Sequence, residues 1–382
     1  MAKSLGEEKV RHIPQDLASL VLSKLPLKSL KRFECAHKTW SLLFENHVFI
    51  TMFRDNFTSI SHSYYDDTSL IIQQLVHKGR STVSILHLLS SQSFENRLKL
   101  DLPTPLQTEH PMFYILYSST INGTLCLSKG DKTFVLWNPT TDEVNVIPPS
   151  PRDSVSPDSA MISFHGFGYN RVRDDYTIIK CLNNPKAWEI YSLRCNTWKK
   201  LDVNMPSRSY YRDLLNTNDG ICHWLSETDD QLCLVSFDLS SYVFLTTSTP
   251  IIMNQIDFED PNDYGMMALL VMLNGSIALI SCYVGKTTFD ILILGELGVS
   301  ESWTKLFTIG PLPSYIEEPI GVGKNGDIFF EKINDGKLVC YDLSTHMFEE
   351  ISLEEPPSNR ITYKKKWFIE LDHTLVGFLV FN

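Results

Sequence analysis

The chain has 382 residues, of which 43% are hydrophobic, and a net charge of −11 at pH 7. This length is enough for two domains with apolar cores, and the acidic balance argues against a protein that binds nucleic acid. The first ten residues are polar and partly acidic, so we expect neither a secretory signal nor a membrane span there. The eight cysteines are scattered without a C-x-x-C pair, so we expect reduced thiols, a cytoplasmic or nuclear location and no zinc site.

The stretch from His12 to Asp55 predicts three short helices. Pro14 is suited to a first helical position, and Pro26 ends the first helix. The apolar residues of that helix recur at helical spacing and form one face: Leu17, Leu20, Val21 and Leu25.

The next two helices follow from their capping residues. Ser29 can cap a second helix that carries Leu30 and Phe33. Thr39 can cap a third helix that carries Trp40, Leu43, Phe44 and Val48. Helices this short cannot remove so much apolar surface from water by themselves, so part of it must face a partner.

This run resembles the F-box of plant F-box proteins. The matching letters are I-P-x-D-L, V-L-S-K-L-P-L-K-S-L-x-R-F-x-C and K-x-W, with Ile13 and Ala36-His37 as departures from the usual pattern. The resemblance implies docking to the adaptor subunit of a cullin-RING ubiquitin ligase. It implies the following adaptor-binding residues: Ile13, Pro14, Leu17, Val21, Leu25, Pro26, Leu30, Phe33 and Trp40. The alternative is an ordinary helical subdomain that packs on the rest of the chain.

Beyond residue 55 the composition changes to Ser, Asp, Thr, His and Tyr, which is typical of a linker. We therefore predict an F-box at residues 10–55, a linker at 56–81 and a second domain at 82–382. Residues 83–89 and 97–102 have the patterns of extended strands, and no long helical pattern follows. The second domain should be mainly β.

A repeat of about fifty residues runs through the β region. Each unit begins near a glycine, and the five glycines are spaced by 45, 52, 55 and 51 residues: Gly123, Gly168, Gly220, Gly275 and Gly326. An apolar run then ends in an aromatic residue and a polar turn, and four aromatic residues should be equivalent: Trp137, Tyr191, Phe237 and Tyr341.

This period is typical of a kelch-like β-propeller blade. Five units are clear, and a sixth can be assembled from residues 82–106 and the C-terminal strands around 367–381. The predicted fold class is therefore α+β in two domains, a small three-helix F-box followed by a mainly β, kelch-like propeller with six blades. An irregular β-sandwich is the alternative.

The β region also resembles the F-box-associated interaction domain of plant proteins. The matching phrases are the segments 122–127, 136–140, 166–170, 174–179 and 236–241. The resemblance implies a domain that holds target proteins for ubiquitination. We expect a substrate receptor of a cullin-RING (SCF-type) ligase, with the adaptor subunit and an unidentified target protein as partners and no membrane partner. An adaptor-bound regulator, a propeller enzyme and a lectin are the alternatives.

We predict no catalytic residue, cofactor or metal site. Gly321 to Gly326 satisfy G-x-G-x-x-G, but a strand follows them where a dinucleotide site needs a helix. His165, Cys222, His223 and Cys233 lack ligand spacing.

Target recognition should fall to propeller loops that converge at one end of the ring. Four polar loops are candidates: residues 150–159, 207–212, 227–231 and 257–264. Tyr and Arg side chains give large contact areas, so four residues are the predicted target-binding group: Arg208, Tyr210, Tyr211 and Arg212. The alternative is that they only cover a blade edge.

Overall fold

The computed structural model describes most of the chain. The residues described are 15–25, 29–30, 32–33, 42–43, 46–59, 69–78, 81–90, 96–107, 113–116, 120–129, 133–139, 141–153, 162–183, 186–207, 214–217, 219–228, 231–252, 266–283, 287–313, 316–323, 326–332, 338–351 and 368–370.

The N-terminal region is helical. Helix α1 spans Gln15–Leu22, residues 29–30, 32–33 and 42–43 are also helical, and helix α2 spans His47–Ser59. The Asn46 side chain caps α2 by accepting a hydrogen bond from the Val48 N–H at 2.8 Å. Val48 therefore lies on α2, and its assignment to the same helix as Leu43 was wrong. The cap at Asn46 interrupts the apolar pattern on which that assignment rested.

Six four-stranded antiparallel sheets form from the described strands, and we number them as blades 1 to 6 in chain order. The strands of the first three blades are β1 (Ser69–Lys78), β2 (Ser81–Ser90), β3 (Asn96–Leu100), β4 (Tyr114–Ile115), β5 (Leu125–Lys129), β6 (Thr133–Asn138), β7 (Glu143–Ile147), β8 (Ile162–Asn170), β9 (Asp175–Asn183), β10 (Lys186–Ser192) and β11 (Thr197–Leu201).

The remaining strands complete the ring. They are β12 (Leu214–Asn216), β13 (Ile221–Thr228), β14 (Gln231–Asp238), β15 (Phe244–Ile252), β16 (Met266–Leu273), β17 (Ser276–Tyr283), β18 (Phe289–Leu294), β19 (Trp303–Ile309), β20 (Ile316–Val322), β21 (Ile328–Lys332), β22 (Leu338–Asp342), β23 (Met347–Ile351) and β24 (Phe368–Glu370). Short 3-10 turns occupy Thr104–Leu106 and Ser300–Ser302.

The C-terminal strand closes the ring. Strand β24 pairs with β1, so blade 1 has the order β24-β1-β2-β3, while each other blade uses four consecutive strands. The first strands of successive blades contact one another, from β8 through β12, β16 and β20 to β24. The fold is therefore a six-bladed β-propeller, which confirms the predicted blade count and excludes the sandwich.

The described residues of the predicted linker have regular secondary structure. Residues 56–81 contain the end of α2 and the whole of β1, so the β structure starts at Ser69 and before residue 82. The apolar run in β1 is short and follows a polar stretch, which is why composition alone assigned it to the linker.

The predicted aromatic repeat is confirmed. All four aromatic residues are buried at the end of a third strand: Trp137, Tyr191, Phe237 and Tyr341. Four residues after the turn begins, the chain takes a positive φ in each of these blades, at Asp142, Asn196, Tyr242 and His346. Where the turn begins with Asp, its carboxylate accepts hydrogen bonds from the turn N–H groups, as Asp238 does from Ser240 at 2.7 Å.

One of the five repeat glycines was assigned wrongly. Gly123, Gly220, Gly275 and Gly326 lie with positive φ in the turn between first and second strands. Gly168 instead lies inside β8, where a Cβ would come within 2.5 Å of Leu239 Cδ1 in the next blade. This glycine is required by close packing between blades, so it is not equivalent to the other four.

Hydrophobic clusters lie between neighbouring blades. One joins blades 1 and 2, one joins blades 2 to 4, one joins blades 4 and 5, and one joins blades 1 and 6. A fifth joins blades 5 and 6 with buried residues of the helical region. The helices are therefore packed on the propeller on the side of blades 5 and 6.

Candidate functional site

Helix α1 presents an apolar face to solvent. Leu17, Leu20 and Val21 are about half exposed and occupy positions i, i+3 and i+4, which lie on one face of a helix. Leu22, which faces elsewhere, is buried. Two further exposed apolar side chains, Leu42 and Val48, belong to the same helical region. We call Leu17, Leu20 and Val21 the α1 face.

The helical region is fixed on the propeller. Leu22 and Leu30 are members of the cluster shared with blades 5 and 6. Arg32 forms an ion pair of 3.6 Å with Glu296, which lies between β18 and β19 of blade 5. Because these contacts hold the inner side of the helical region, the α1 face is left pointing away from the propeller.

The structure divides the predicted adaptor-binding residues into three groups. Leu17 and Val21 are exposed, as a docking surface requires. Leu25 and Phe33 are partly buried against the cluster, and Leu30 is fully buried in it. Ile13, Pro14, Pro26 and Trp40 lie outside the described residues. Leu20 belongs to the same face and could have been included from its helical spacing.

The predicted target-binding residues cannot be placed in the same way. Arg208, Tyr210, Tyr211 and Arg212 all lie outside the described residues, and so does the loop at 257–264. The described ends of the other candidate loops follow β7 and β11 or join β13 to β14. Strand alternation puts these connections at one end of the propeller, which we call the loop end. The tight turns that join first to second and third to fourth strands lie at the opposite end, the turn end.

A buried charged cluster connects blades 2 and 3. The Lys180 ammonium is fully buried, 2.6 Å from Asp153 Oδ1 and 3.5 Å from Glu189 Oε2. Its Nζ also lies 4.2 Å from the centre of the Trp198 ring. Asp153 belongs to the connection after β7, so these contacts fix that connection to blade 3. Glu189 also accepts a hydrogen bond of 3.0 Å from the Ser150 hydroxyl and lies 3.6 Å from Arg152. Because each charged group has partners within the chain, we regard the cluster as structural.

The buried histidines are also structural. His165 packs edge-on against Trp188 and Trp224, with ring centres 4.5 and 5.2 Å away. Burial lowers the pKa of His223 to about 4, and its Nδ1 lies 2.8 Å from the Ser236 hydroxyl. Among the described residues there is no group of His, Cys, Asp and Glu that could hold a metal ion. The seven cysteines in this part of the chain form no disulfide with one another, and six of them are buried.

Comparison with known proteins identifies the family. The family model described as the F-box associated beta propeller domain matches residues 74–374, which include strands of all six blades. The chain belongs to this family. The match begins at residue 74, inside β1.

Named relatives of this F-box-associated propeller come from Arabidopsis thaliana. F-box protein CPR1 is 23% identical over 91% of this chain and 86% of its own length. F-box/kelch-repeat protein At3g23880 is 24% identical over 92% of both chains. Among solved structures, TolB from Acinetobacter baumannii aligns with a TM-score of 0.48 and 10% identity, over 79% of this chain and 66% of TolB. The TolB match carries no information on function.

No described helix of the F-box-associated propeller has both the length and the apolar character of a membrane-crossing helix.

Proposed function

We propose that this F-box-associated propeller is the substrate-recognition subunit of a cullin-RING ubiquitin ligase. In this proposal the helical region, residues 10–55, is an F-box that binds the adaptor subunit, and the propeller binds a target protein. The exposed α1 face is the observation that carries the proposal, because three half-exposed apolar side chains on one helix need a partner surface to leave water.

The relatives support the assignment of the helical region. Residues before Ser69 are less than a fifth of the chain, so an alignment that covers 92% of it includes more than half of them. The similarity to proteins named F-box proteins therefore extends beyond the propeller into the helical region. The three-helix and two-domain organisation remains part of the proposal.

The ligase role needs no bond chemistry in this chain. A receptor that holds a target beside the ubiquitin-charged enzyme raises the effective concentration of the two reactants. Residues 1–55 hold nine Lys/Arg and six Asp/Glu, and this positive balance suits an acidic adaptor. We place the protein in the cytoplasm or nucleus, where reduced cysteines like those described here persist.

The test is purification with the helical region intact or deleted. The full chain and a chain lacking residues 1–59 are expressed with a tag in plant cells, and the co-purified proteins are quantified by mass spectrometry. Because the deletion removes side chains such as Leu30 that pack on blades 5 and 6, thermal unfolding must first show that the shortened chain is folded. We expect the adaptor and cullin only with the full chain, and a set of other proteins with both. Ubiquitin transfer to one of these other proteins would indicate a substrate receptor, and its absence would indicate a regulator. Equal recovery of the adaptor with both chains would refute the proposed role of the helices.

A further inference from the structure

The turn end of blades 3 and 4 carries a group of exposed arginine and valine side chains around the partly buried Tyr242. The turn between β8 and β9 contributes Arg171, Val172 and Arg173, the turn between β10 and β11 contributes Arg194, and the turn between β14 and β15 contributes Tyr242 and Val243. Val172 is 81% exposed. We call these six residues the arginine surface.

Direct contacts hold the arginine surface together. The Arg173 guanidinium lies 4.5 Å above the centre of the Tyr242 ring and donates to the Tyr242 hydroxyl. Arg194 donates a hydrogen bond of 3.2 Å to the Arg173 carbonyl oxygen. Val172 and Val243 are the chain neighbours of the stacked pair. Three turns from two blades therefore form one continuous surface.

A buried asparagine fixes the backbone beneath this surface. The Asn170 side-chain oxygen accepts hydrogen bonds from the N–H groups of Val172 and Arg173, at 3.1 and 3.0 Å. Its amide nitrogen donates to the Leu239 carbonyl oxygen at 2.8 Å, in the turn of the next blade. Because Asn170 is fully buried, these turns are held in position before any partner binds, which lowers the entropy cost of binding.

The charges of the arginine surface face outward. Within the described part of the chain, no carboxylate forms an ion pair with Arg171, Arg173 or Arg194. The nearby carboxylates already accept hydrogen bonds from other groups: Asp174 accepts from the Tyr169 hydroxyl, and the buried Asp175 accepts from the backbone N–H of Arg194 at 2.8 Å.

The surrounding blade is basic in an otherwise acidic chain. Residues 151–200 contain eight Lys/Arg and five Asp/Glu, whereas the other 332 residues contain 26 and 40. A local excess of positive charge attracts acidic segments of a partner protein. Arginine and tyrosine are also the residue types that contribute most to protein interfaces.

We propose that the arginine surface binds an acidic segment of the target protein, with Glu or Asp side chains on the guanidiniums and an apolar side chain on Val172 and Val243. This inference rests on the proposed function only in naming the target as the occupant. The proposed target site is therefore at the turn end of the propeller and not at the loop end, where the sequence predicted it. The helical region also contacts the turn end, through the ion pair of Arg32 with Glu296.

The test measures peptide binding to the full chain by fluorescence anisotropy. The probe is a short fluorescein-labelled peptide rich in Glu and Leu, and its counterpart has Lys in place of Glu. The double variant Arg171→Glu and Arg173→Glu should weaken binding of the acidic peptide at least about tenfold. Binding should also weaken as the salt rises from about 0.05 to 0.5 M. The matched control is Lys186→Glu with Lys199→Glu, which changes the net charge equally at two exposed positions of the same blade.

Several results would overturn the inference. They are an absence of saturable binding by the wild-type chain, an equal loss in the control variant, and preference for a phosphoserine peptide or for phosphatidylserine vesicles over the Glu peptide. Adaptor binding is measured on the same samples. If the adaptor binds and the acidic peptide does not, only this inference fails. If the peptide binds and the adaptor does not, only the proposed adaptor role fails.

Discussion

Removing the α1 face should weaken adaptor binding without unfolding the protein. The perturbation is the triple change Leu17→Ala, Leu20→Ala and Val21→Ala, and these side chains are 52%, 46% and 55% exposed. The change deletes about eight carbons, each worth about 0.8 kcal/mol when fully buried, and about half of that burial remains to be gained on docking. We therefore expect a loss of about 3 kcal/mol in binding free energy, or roughly a hundredfold in Kd. Alanine favours helix, so α1 should persist.

The assay is isothermal titration of the purified adaptor subunit into the full chain. The matched control is Leu98→Ala, Leu245→Ala and Val146→Ala, which deletes the same atoms from propeller side chains that are 49%, 47% and 52% exposed. The control should bind the adaptor like the wild type. An unchanged Kd in the α1 variant, or an equal loss in both variants, would refute the reasoning, provided that thermal unfolding shows both to be folded.

Three further predictions concern stability and are checked by urea denaturation. Gly166→Ala should cost about 3 kcal/mol, because its Cβ would lie 2.2 Å from Ile179 Cγ2 in the same blade and 2.8 Å from Cys222 Sγ in blade 4. Gly275→Ala, with φ of +73° and open space around it, should cost only about 1 kcal/mol, and equal losses would contradict the close packing around Gly166. Lys180→Met should cost about 3 to 5 kcal/mol, because the buried Asp153 would lose its cation and Glu189 would keep only the partly exposed Arg152. A loss below about 1 kcal/mol would show that the cluster is not buried in solution. Burial lowers the pKa of His223 from 6.5 to about 4, so between these pH values the unfolded chain binds a proton at this residue and the folded chain does not. The free energy of unfolding should therefore fall as the pH drops from 6.5 to 4, and His223→Gln should remove up to about 3 kcal/mol of that fall. Parallel pH profiles of the variant and the wild type would contradict this prediction.

The propeller could be predicted because its repeat lies in the sequence itself. An aromatic residue before a polar turn marks the third strand of a blade. Tyr191 and Tyr341 show why an aromatic residue is found at this position. Their hydroxyls bond to Asn196 and His346, the residues with positive φ at the end of the same turn. The burial of the tyrosine ring and the shape of the following turn thus depend on the same short segment, so a sequence pattern is enough to predict both.

Other features depend on contacts that a single sequence does not contain. Gly168 has the spacing of a turn glycine, but its role is set by Leu239 in the next blade. Strand β1 pairs with β24 from the far end of the chain as well as with β2, and its polar neighbourhood led composition to assign it to the linker. The arginine surface was also missed, because Asn170 joins turns that are separated by 69 residues.

The division of the helical region into buried and exposed residues was only partly predictable. Helical spacing placed Leu17 and Val21 on one face, but it could not show that Leu30 packs against the propeller. That outcome depends on how the helices meet blades 5 and 6.

Hydrogen exchange with and without the adaptor tests the central claim most directly. The account predicts that bound adaptor slows amide exchange in α1 and around Leu42 and Val48, while the six blades exchange as in the free chain. Protection concentrated on propeller strands, with α1 unchanged by a saturating amount of adaptor, would contradict it.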